Sequence, residues 1–318
     1  MERVQNKKSL LILGSTGFLG SSILNLLKTE QLTGLEVLVS QSSALDEPIK
    51  FTLLNSDFLG VAEINEPNLA STLNSELIVI NCASSRNSND KDLSMHGNFV
   101  FPKKVLDTIL AIQGIRIRWI QIETFWQYSK SPVPDTNYVV WKSRFGDLLT
   151  KSSVHENFLV EKLVLPHLIG PLDKESRFLP RLFSMMLKNK TLELSSPNEI
   201  FCLADVRDVA YYLVCLLSHK NIDQNLSHKL FPFIEVKLHE IVLRFIEISA
   251  SLSKVVFLET SDYSNPVLNL SEQPPLLRLN QKSLHDLDST FYDIARWLSE
   301  LQQFDSVKEC KQIDHPRF

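Results

Sequence analysis

The sequence predicts an α/β protein, a doubly wound parallel sheet followed by a smaller, mainly helical C-terminal lobe. Three observations carry this reading. Short apolar runs alternate with helical patterns through the first half of the chain, as βαβ units require. Three of only nine glycines fall in the seven-residue window Gly14-Ser15-Thr16-Gly17-Phe18-Leu19-Gly20, between one such run and the next. After Pro166 the texture changes, and helical patterns separated by short polar connectors take over.

The elements follow in order. Ser9 to Leu13 reads as a buried strand, and Phe18 to Lys28 as a helix with Leu19, Ile23, Leu26 and Leu27 on one face. Leu35 to Val39 is a second strand and Phe51 to Leu54 a short third. Leu77 to Cys82 is apolar almost throughout, which suits a central parallel strand covered on both faces. A helix over Phe101 to Ile112 leads to a strand over Ile115 to Ile122. A further helix, from Asn137 to about Lys151, precedes the strand Phe158 to Leu165. In the second half the periodicity predicts helices over Phe178 to Lys188, Val206 to Leu217, Leu238 to Ala250 and Ser283 to Leu301, with Pro274-Pro275 in a loop. The expected division is 1–165 for the sheet domain, joined by parts of 200–235, and 166–318 for the lobe.

Composition narrows the class. Of 318 residues, 44% are apolar and 22% charged, the balance of an ordinary globular chain. A formal net charge of -4, without a basic stripe or a polybasic run, gives no reason to expect a nucleic-acid or membrane surface. Cys82, Cys202, Cys215 and Cys310 match no zinc spacing or redox pair, so no metal is expected and the thiols read as buried and reduced. Lys7 and Lys8 before Leu10 to Leu13 imitate a signal peptide, but the apolar run stops at Gly14. With no window approaching a membrane span, a cytoplasmic location is expected.

Gly14, Gly17 and Gly20 directly follow a predicted strand and open a predicted helix. In that context the first glycine permits a tight turn, the second lets backbone approach a pyrophosphate, and the third lets the helix pack close. The helix N-terminus then presents its N–H groups to phosphate. The window therefore reads as a dinucleotide site on a Rossmann-type sheet, with Gly14, Thr16, Gly17, Phe18, Leu19 and Gly20 as its residues.

Tyr138 and Lys142, in Tyr138-Val-Val-Trp-Lys142, lie one helical turn apart on the same face. Carbonyl reduction needs a proton donor for the oxygen while hydride reaches the carbon. An ordinary tyrosine, with a pKa of about 10, exchanges protons reluctantly at neutral pH. A neighbouring ammonium favours the phenolate. Tyr128 also falls in this region, but only Tyr138 has a lysine four residues on. Glu123 reads equally as a polar residue leaving the sheet edge or as part of the chemistry.

The GxxGxxG spacing resembles the extended short-chain dehydrogenase/reductase family, the NAD-dependent epimerases and dehydratases. By that resemblance Asp57 and Phe58 contact the adenine, Cys82, Ala83 and Ser84 line the cofactor, and Asn98 matches an asparagine of the following helix. Ser40 stands at the tip of the second strand. Thr124, fourteen residues before Tyr138, matches the residue that hydrogen-bonds the substrate oxygen, and Lys142 is implied to bind the ribose. The segments Asn81-Cys-Ala-Ser-Ser85, Asn98-Phe-Val-Phe-Pro102 and Thr124-Phe-Trp-Gln127 are similar to CDP-sugar 4-ketoreductases of the CDP-abequose and CDP-paratose synthase type, enzymes of surface-polysaccharide sugar biosynthesis. In Leu163-Val-Leu-Pro-His-Leu-Ile-Gly-Pro171 the match places Pro166 and His167 near the nicotinamide, although His167 reads equally as a capped strand-end residue. The Asp-Glu pair with which sugar-nucleotide dehydratases run elimination is replaced by Phe125 and Trp126.

Two departures accompany the match. Ser40-Gln41-Ser42-Ser43 occupies the place of the carboxylate that binds the ribose of NAD, so the cofactor is NAD or NADP, with NADPH favoured as the usual donor of biosynthetic reductases. Arg86, in a later loop, reads as a solvated arginine or a phosphate ligand. Phe201 and Cys202 replace the Arg-Asp that precedes Asp208-Val209-Ala210 in the family. That leaves Arg177, Arg181, Lys188, Lys190 and Arg207 as alternative diphosphate ligands or solvated surface. The sequence thus predicts an NAD(P)H-dependent reductase acting on a keto group of a nucleotide-activated sugar through Thr124, Tyr138 and Lys142. Alternatives are a 4-epimerase that retains NAD and a dinucleotide-binding regulatory protein with a degenerate 166–318 lobe. A homodimer is implied by the family.

Overall fold

Residues 8–30, 35–40, 49–55, 60–86, 90–128, 136–218, 227–258 and 284–313 are described by the computed structural model. Strand β1 (Lys8–Leu13) leads through helix α1 (Phe18–Glu30) to β2 (Leu35–Ser40), β3 (Lys50–Leu54), β4 (Gly60–Asn65), α2 (Glu66–Thr72) and β5 (Glu76–Asn81). Helix α3 (Lys91–Met95) continues through a π-helical turn, His96–Val100, into α4 (Phe101–Leu110), followed by β6 (Arg116–Thr124), α5 (Thr136–Ser152) and β7 (Phe158–Leu165). The remaining elements are β8 (His167–Ile169), α6 (Phe178–Leu187), β9 (Leu192–Ser195), β10 (Ile200–Asp205), α7 (Val206–Ser218), β11 (Ser227–Leu230), β12 (Ile234–Lys237), α8 (Leu238–Ser249), β13 (Val255–Leu258) and α9 (Leu287–Ile313).

Eight strands form one sheet in the order β11-β7-β6-β5-β1-β2-β3-β4, parallel from β11 through β2. Helices on both sides explain why β1 and β5 carry continuous apolar runs: Leu10 to Leu13 and Leu77 to Ile80 are completely or almost completely buried. Beyond β2 the sheet turns antiparallel, through β3 and β4. The sequence reading omitted β4 and α2. In β4, Ala62 and Glu63 are exposed and Ile64 is buried, too short an apolar pattern to stand out.

The chain divides into two units, one comprising residues up to Pro166 and Val209–Pro232, the other comprising His167–Asp208, 233–258 and α9. In the first, Trp119 of β6 packs against Phe145 of α5 (ring centroids 5.7 Å apart), and Phe99 meets Phe145 edge-on. Arg118 is buried between β6 and β7. It donates to Glu161 at 2.7 Å and to the Leu216 carbonyl at 2.7 Å. The second unit centres on Phe183, stacked 4.1 Å from Phe245, with Phe291 against both. It is mainly helical, as its sequence suggests, and also holds short strands that the sequence pattern does not show. Strands β12-β10-β8 form one small sheet and β13-β9 another, each strand too short to leave a clear alternation.

Candidate active site

Strand β1 ends in the glycine turn. Gly14 adopts φ 74°, a left-handed conformation that disfavours a side chain, and its carbonyl accepts from Gly17 N–H at 3.0 Å. A Cβ on Gly14 would stand 2.8 Å from the Cα and N of Ala83. One on Gly20 would run into the Gly14 carbonyl and come within 2.8 Å of Ser15 Cα. The turn is therefore pressed against the loop after β5 on one side and the first turn of α1 on the other. Thr16 is exposed, Gly17 and Phe18 are half-buried, and Leu19 is buried.

The loop after β5 is fixed by backbone hydrogen bonds. Cys82 N–H donates to the Leu13 carbonyl at 3.0 Å and Ala83 N–H to Asn81 Oδ1 at 3.1 Å. Asn98 is 2% exposed and holds Ser85 from both sides. Its Oδ1 accepts from Ser85 N–H at 3.3 Å, and its Nδ2 donates to the Ser85 and Ser94 carbonyls at 2.7 Å each. Asn98 thus shapes the loop after β5 with an amide engaged at both ends. Ala83 is buried, Cys82 half-buried and Ser84 exposed. Burial pushes the Cys82 thiol up to about 12, against the opposing charge of Lys142.

Thr124 closes β6, 7% exposed, with its N–H donating to Gln127 Oε1 at 2.9 Å. The chain then makes a tight turn over Phe125–Tyr128, in which Phe125 and Trp126 are both buried. Tyr138 and Lys142 share the buried face of α5, 7% and 3% exposed. The Lys142 Nζ donates to the Ile122 carbonyl at 2.9 Å and lies 5.7 Å from the centre of the Tyr138 ring. This brings the ammonium to the end of β6, two residues before Thr124. Arg86 is not a purely solvated loop residue: its guanidinium carbon lies 5.1 Å from the Tyr138 ring centre. Nothing in the local sequence signals that stacking, because the two residues are remote in the chain.

Glu123 does not leave a sheet edge. It is 2% exposed, on an inner strand, and it anchors a cluster. Its Oε2 accepts from the Tyr128 hydroxyl at 2.5 Å and meets His228 Nε2 at 3.1 Å, while Lys162 Nζ approaches Oε1 at 3.6 Å. The Tyr128 hydroxyl also lies 2.6 Å from His228 Nε2. Burial works to raise the Glu123 carboxyl. The hydrogen bonds from His228 and Tyr128 and the charge of Lys162 outweigh it and hold the group below the ordinary carboxylate range. Tyr128 is pushed the other way, by burial and then by the Glu123 charge, and stays a protonated donor.

The other predicted residues are placed differently. Ser40 is fully buried, and its hydroxyl donates to the Lys50 carbonyl at 3.1 Å instead of standing open at the strand tip. Asp57 and Phe58 lie outside the described residues. Pro166 is buried at the end of the first unit, whereas His167 opens β8 in the second, its ring 5.4 Å from Phe201. Phe201 and Cys202 are buried in β10. Of the basic candidates, Arg177 pairs with Asp173 at 2.9 Å, and Arg207 pairs with Asp205 and Asp293 at 2.6 Å each. Those pairings replace the solvated reading for both, while Arg181, Lys188 and Lys190 are exposed. Among the described residues, no group of three His, Cys, Asp or Glu is placed to hold a metal, and no helix is long and apolar enough to cross a membrane.

Comparison with curated protein sequences gives no match. Solved structures do match. MoeE5 in complex with UDP-glucose and NAD superimposes with a TM-score of 0.69 at 16% identity, over 92% of this chain and 99% of that one. UDP-glucuronic acid 4-epimerase from Bacillus cereus in complex with NAD gives 0.68 at 17%, over 92% and 99%. RMD from Pseudomonas aeruginosa complexed with NADPH gives 0.65 at 18%, over 92% and 98%. At these identities the likeness establishes the shared fold. The family follows from the sequence itself, because residues 10–227 match the model of the NAD dependent epimerase/dehydratase family, and the chain belongs to that family.

Proposed function

We propose that this chain reduces a keto group on a nucleotide-activated sugar with NADH or NADPH, using Thr124, Tyr138 and Lys142. The observation that carries the reading is the buried Tyr138–Lys142 face of α5, tied by the 2.9 Å Lys142–Ile122 bond to the end of β6, where Thr124 stands. The neighbours complexed with UDP-sugars and with NAD or NADPH support the substrate and cofactor class. The cytoplasm is the expected location.

The turn fits a dinucleotide. A Cβ at Gly14 would collide with Ala83, so backbone comes as close as it can to the loop that would flank the cofactor. Gly14 to Gly20 would hold the pyrophosphate at the start of α1, and Ala83 and Ser84 would line its path. A reduced nicotinamide bound there supplies the hydride. Tyr138 gives its phenolic proton to the ketone oxygen as the carbon accepts hydride, so that ketone, hydride and proton together yield the alcohol. Thr124 orients that oxygen by hydrogen bonding, and Lys142 holds positive charge beside the phenol that loses its proton. We assign recognition of the rest of the substrate to the 166–318 lobe.

A second reading, a 4-epimerase that retains NAD, is favoured by the likeness to the Bacillus cereus epimerase. Thermal-shift titration with NADH, NADPH and a panel of CDP-, UDP-, GDP- and dTDP-sugars tests the common ground. Stabilisation by a dinucleotide and by one nucleotide class is expected of protein stripped of any copurified dinucleotide, and no shift of that stripped protein with NAD, NADH or NADPH would sink both readings. Dinucleotide that copurifies and does not exchange would select the epimerase, whereas stoichiometric consumption of NADPH or NADH selects the reductase.

A further inference from the structure

Gln121 lies in β6, 1% exposed, on the strand face it shares by alternation with Trp119 and Glu123. A buried amide is costly unless both of its ends are satisfied, and here both are. Oε1 accepts from Asn81 Nδ2 at 2.9 Å and from Trp119 Nε1 at 3.1 Å. Nε2 donates to the Ile122 carbonyl at 3.0 Å, the same oxygen that receives Lys142 Nζ at 2.9 Å. Asn81 in turn accepts from Ala83 N–H at 3.1 Å, and Ala83 is the residue against which Gly14 is pressed. A continuous hydrogen-bonded chain therefore runs Ala83, Asn81, Gln121, Ile122 carbonyl, Lys142.

We propose that Gln121 is a positioning residue for Lys142, tying the ammonium to the loop that faces the dinucleotide. The inference rests on the site assigned above and adds a residue to it. Each donor in the chain from Ala83 to Gln121 points the same way, so each amide strengthens the next. Gln121 fixes the carbonyl that takes one of the three Lys142 protons and thereby sets where the other two are directed. A purely structural role would fill space and satisfy Trp119. The positioning role requires that Gln121 act through Lys142.

A double-mutant cycle on the full chain separates the two, read as NADH affinity by fluorescence titration, with thermal melts in the absence of dinucleotide to verify folding. Gln121→Met keeps size and removes both hydrogen-bonding ends. It is expected to weaken NADH binding about tenfold in the parent chain, and by less than twofold in a Lys142→Met background, where nothing is left to position. Trp119→Phe, which removes the lateral donor and part of a buried ring but leaves the Asn81–Gln121–Ile122 bonds in place, should leave the affinity within about twofold. If Gln121→Met does not fold, Asn81→Ala breaks the same chain one bond earlier and takes its place in the cycle. The proposal is overturned if Gln121→Met leaves affinity unchanged, or weakens it equally with and without Lys142. If Lys142→Met itself leaves NADH binding intact, the site assignment falls as well, and the two failures are thereby told apart.

Discussion

Glu123 and His228 are 105 residues apart in the chain, yet the Glu123 Oε2 lies 3.1 Å from His228 Nε2. Strand order achieves this: β7 lies between β6 and β11 in the sheet, and Lys162 of β7 completes the group. The carboxylate is held below its unfolded value, so its contribution to stability is fully present above about pH 4.3 and is lost as pH falls from there through the lower folded value. Unfolding followed by denaturant from pH 6 to pH 3 should show this loss in the parent chain. In Glu123→Gln the acid-dependent part should shrink, and stability at neutral pH should drop by about 2–4 kcal/mol, because Lys162 loses its counter-charge and one of the two acceptor oxygens becomes an amide donor. A parent-like acid slope in the variant would contradict this account.

Gly20→Ala tests the closeness of the turn. Inside a helix this exchange ordinarily stabilises by about 1 kcal/mol. Here the new methyl meets the Gly14 carbonyl and Ser15 Cα, both backbone that cannot swing aside. The sign should reverse, to a loss of about 3 kcal/mol, together with weakened dinucleotide binding, measured by urea unfolding and NADH titration.

Tyr138→Phe removes the proposed proton donor while keeping the ring beside Arg86 and Lys142. Turnover should fall by about 10²–10⁴-fold, with NADH affinity changed only a few-fold. Activity that persists in this variant would place the acid elsewhere.

Cys82 feels the charge of Lys142, but with a thiol pushed up to about 12 by burial it is almost entirely protonated. At pH 8 the thiolate fraction is about 10⁻⁴. Peptide mass spectrometry after iodoacetamide treatment at that pH should find Cys82 unmodified under conditions that label an ordinary exposed cysteine.

The glycine turn and the Tyr138–Lys142 spacing were legible because their demands are local. A positive φ at Gly14, a helix starting at residue 18, and two side chains four residues apart on α5 are fixed by neighbouring residues. The strands β1 and β5 were legible for a related reason, since burial on both faces writes itself as an unbroken apolar run. The antiparallel edge and the short strands of the second unit leave no such run, and were read poorly or omitted.

The polar partners were beyond the reach of the sequence. Asn81 and Gln121 are 40 residues apart, Lys142 and Ile122 are 20 apart, and only the placement of β5 beside β6 and of α5 over them makes each pair a hydrogen bond. The same holds for Ser40, whose hydroxyl turns to Lys50 once β3 folds back along β2. Hydrophobic periodicity and backbone constraints are properties of a short window, so the sequence by itself determined where the glycine turn and the Tyr-Lys helix lie. Hydrogen bonding across the sheet depends on which strands become neighbours, and only the tertiary structure decided what holds Lys142, what neutralises Glu123 and what stacks on Tyr138.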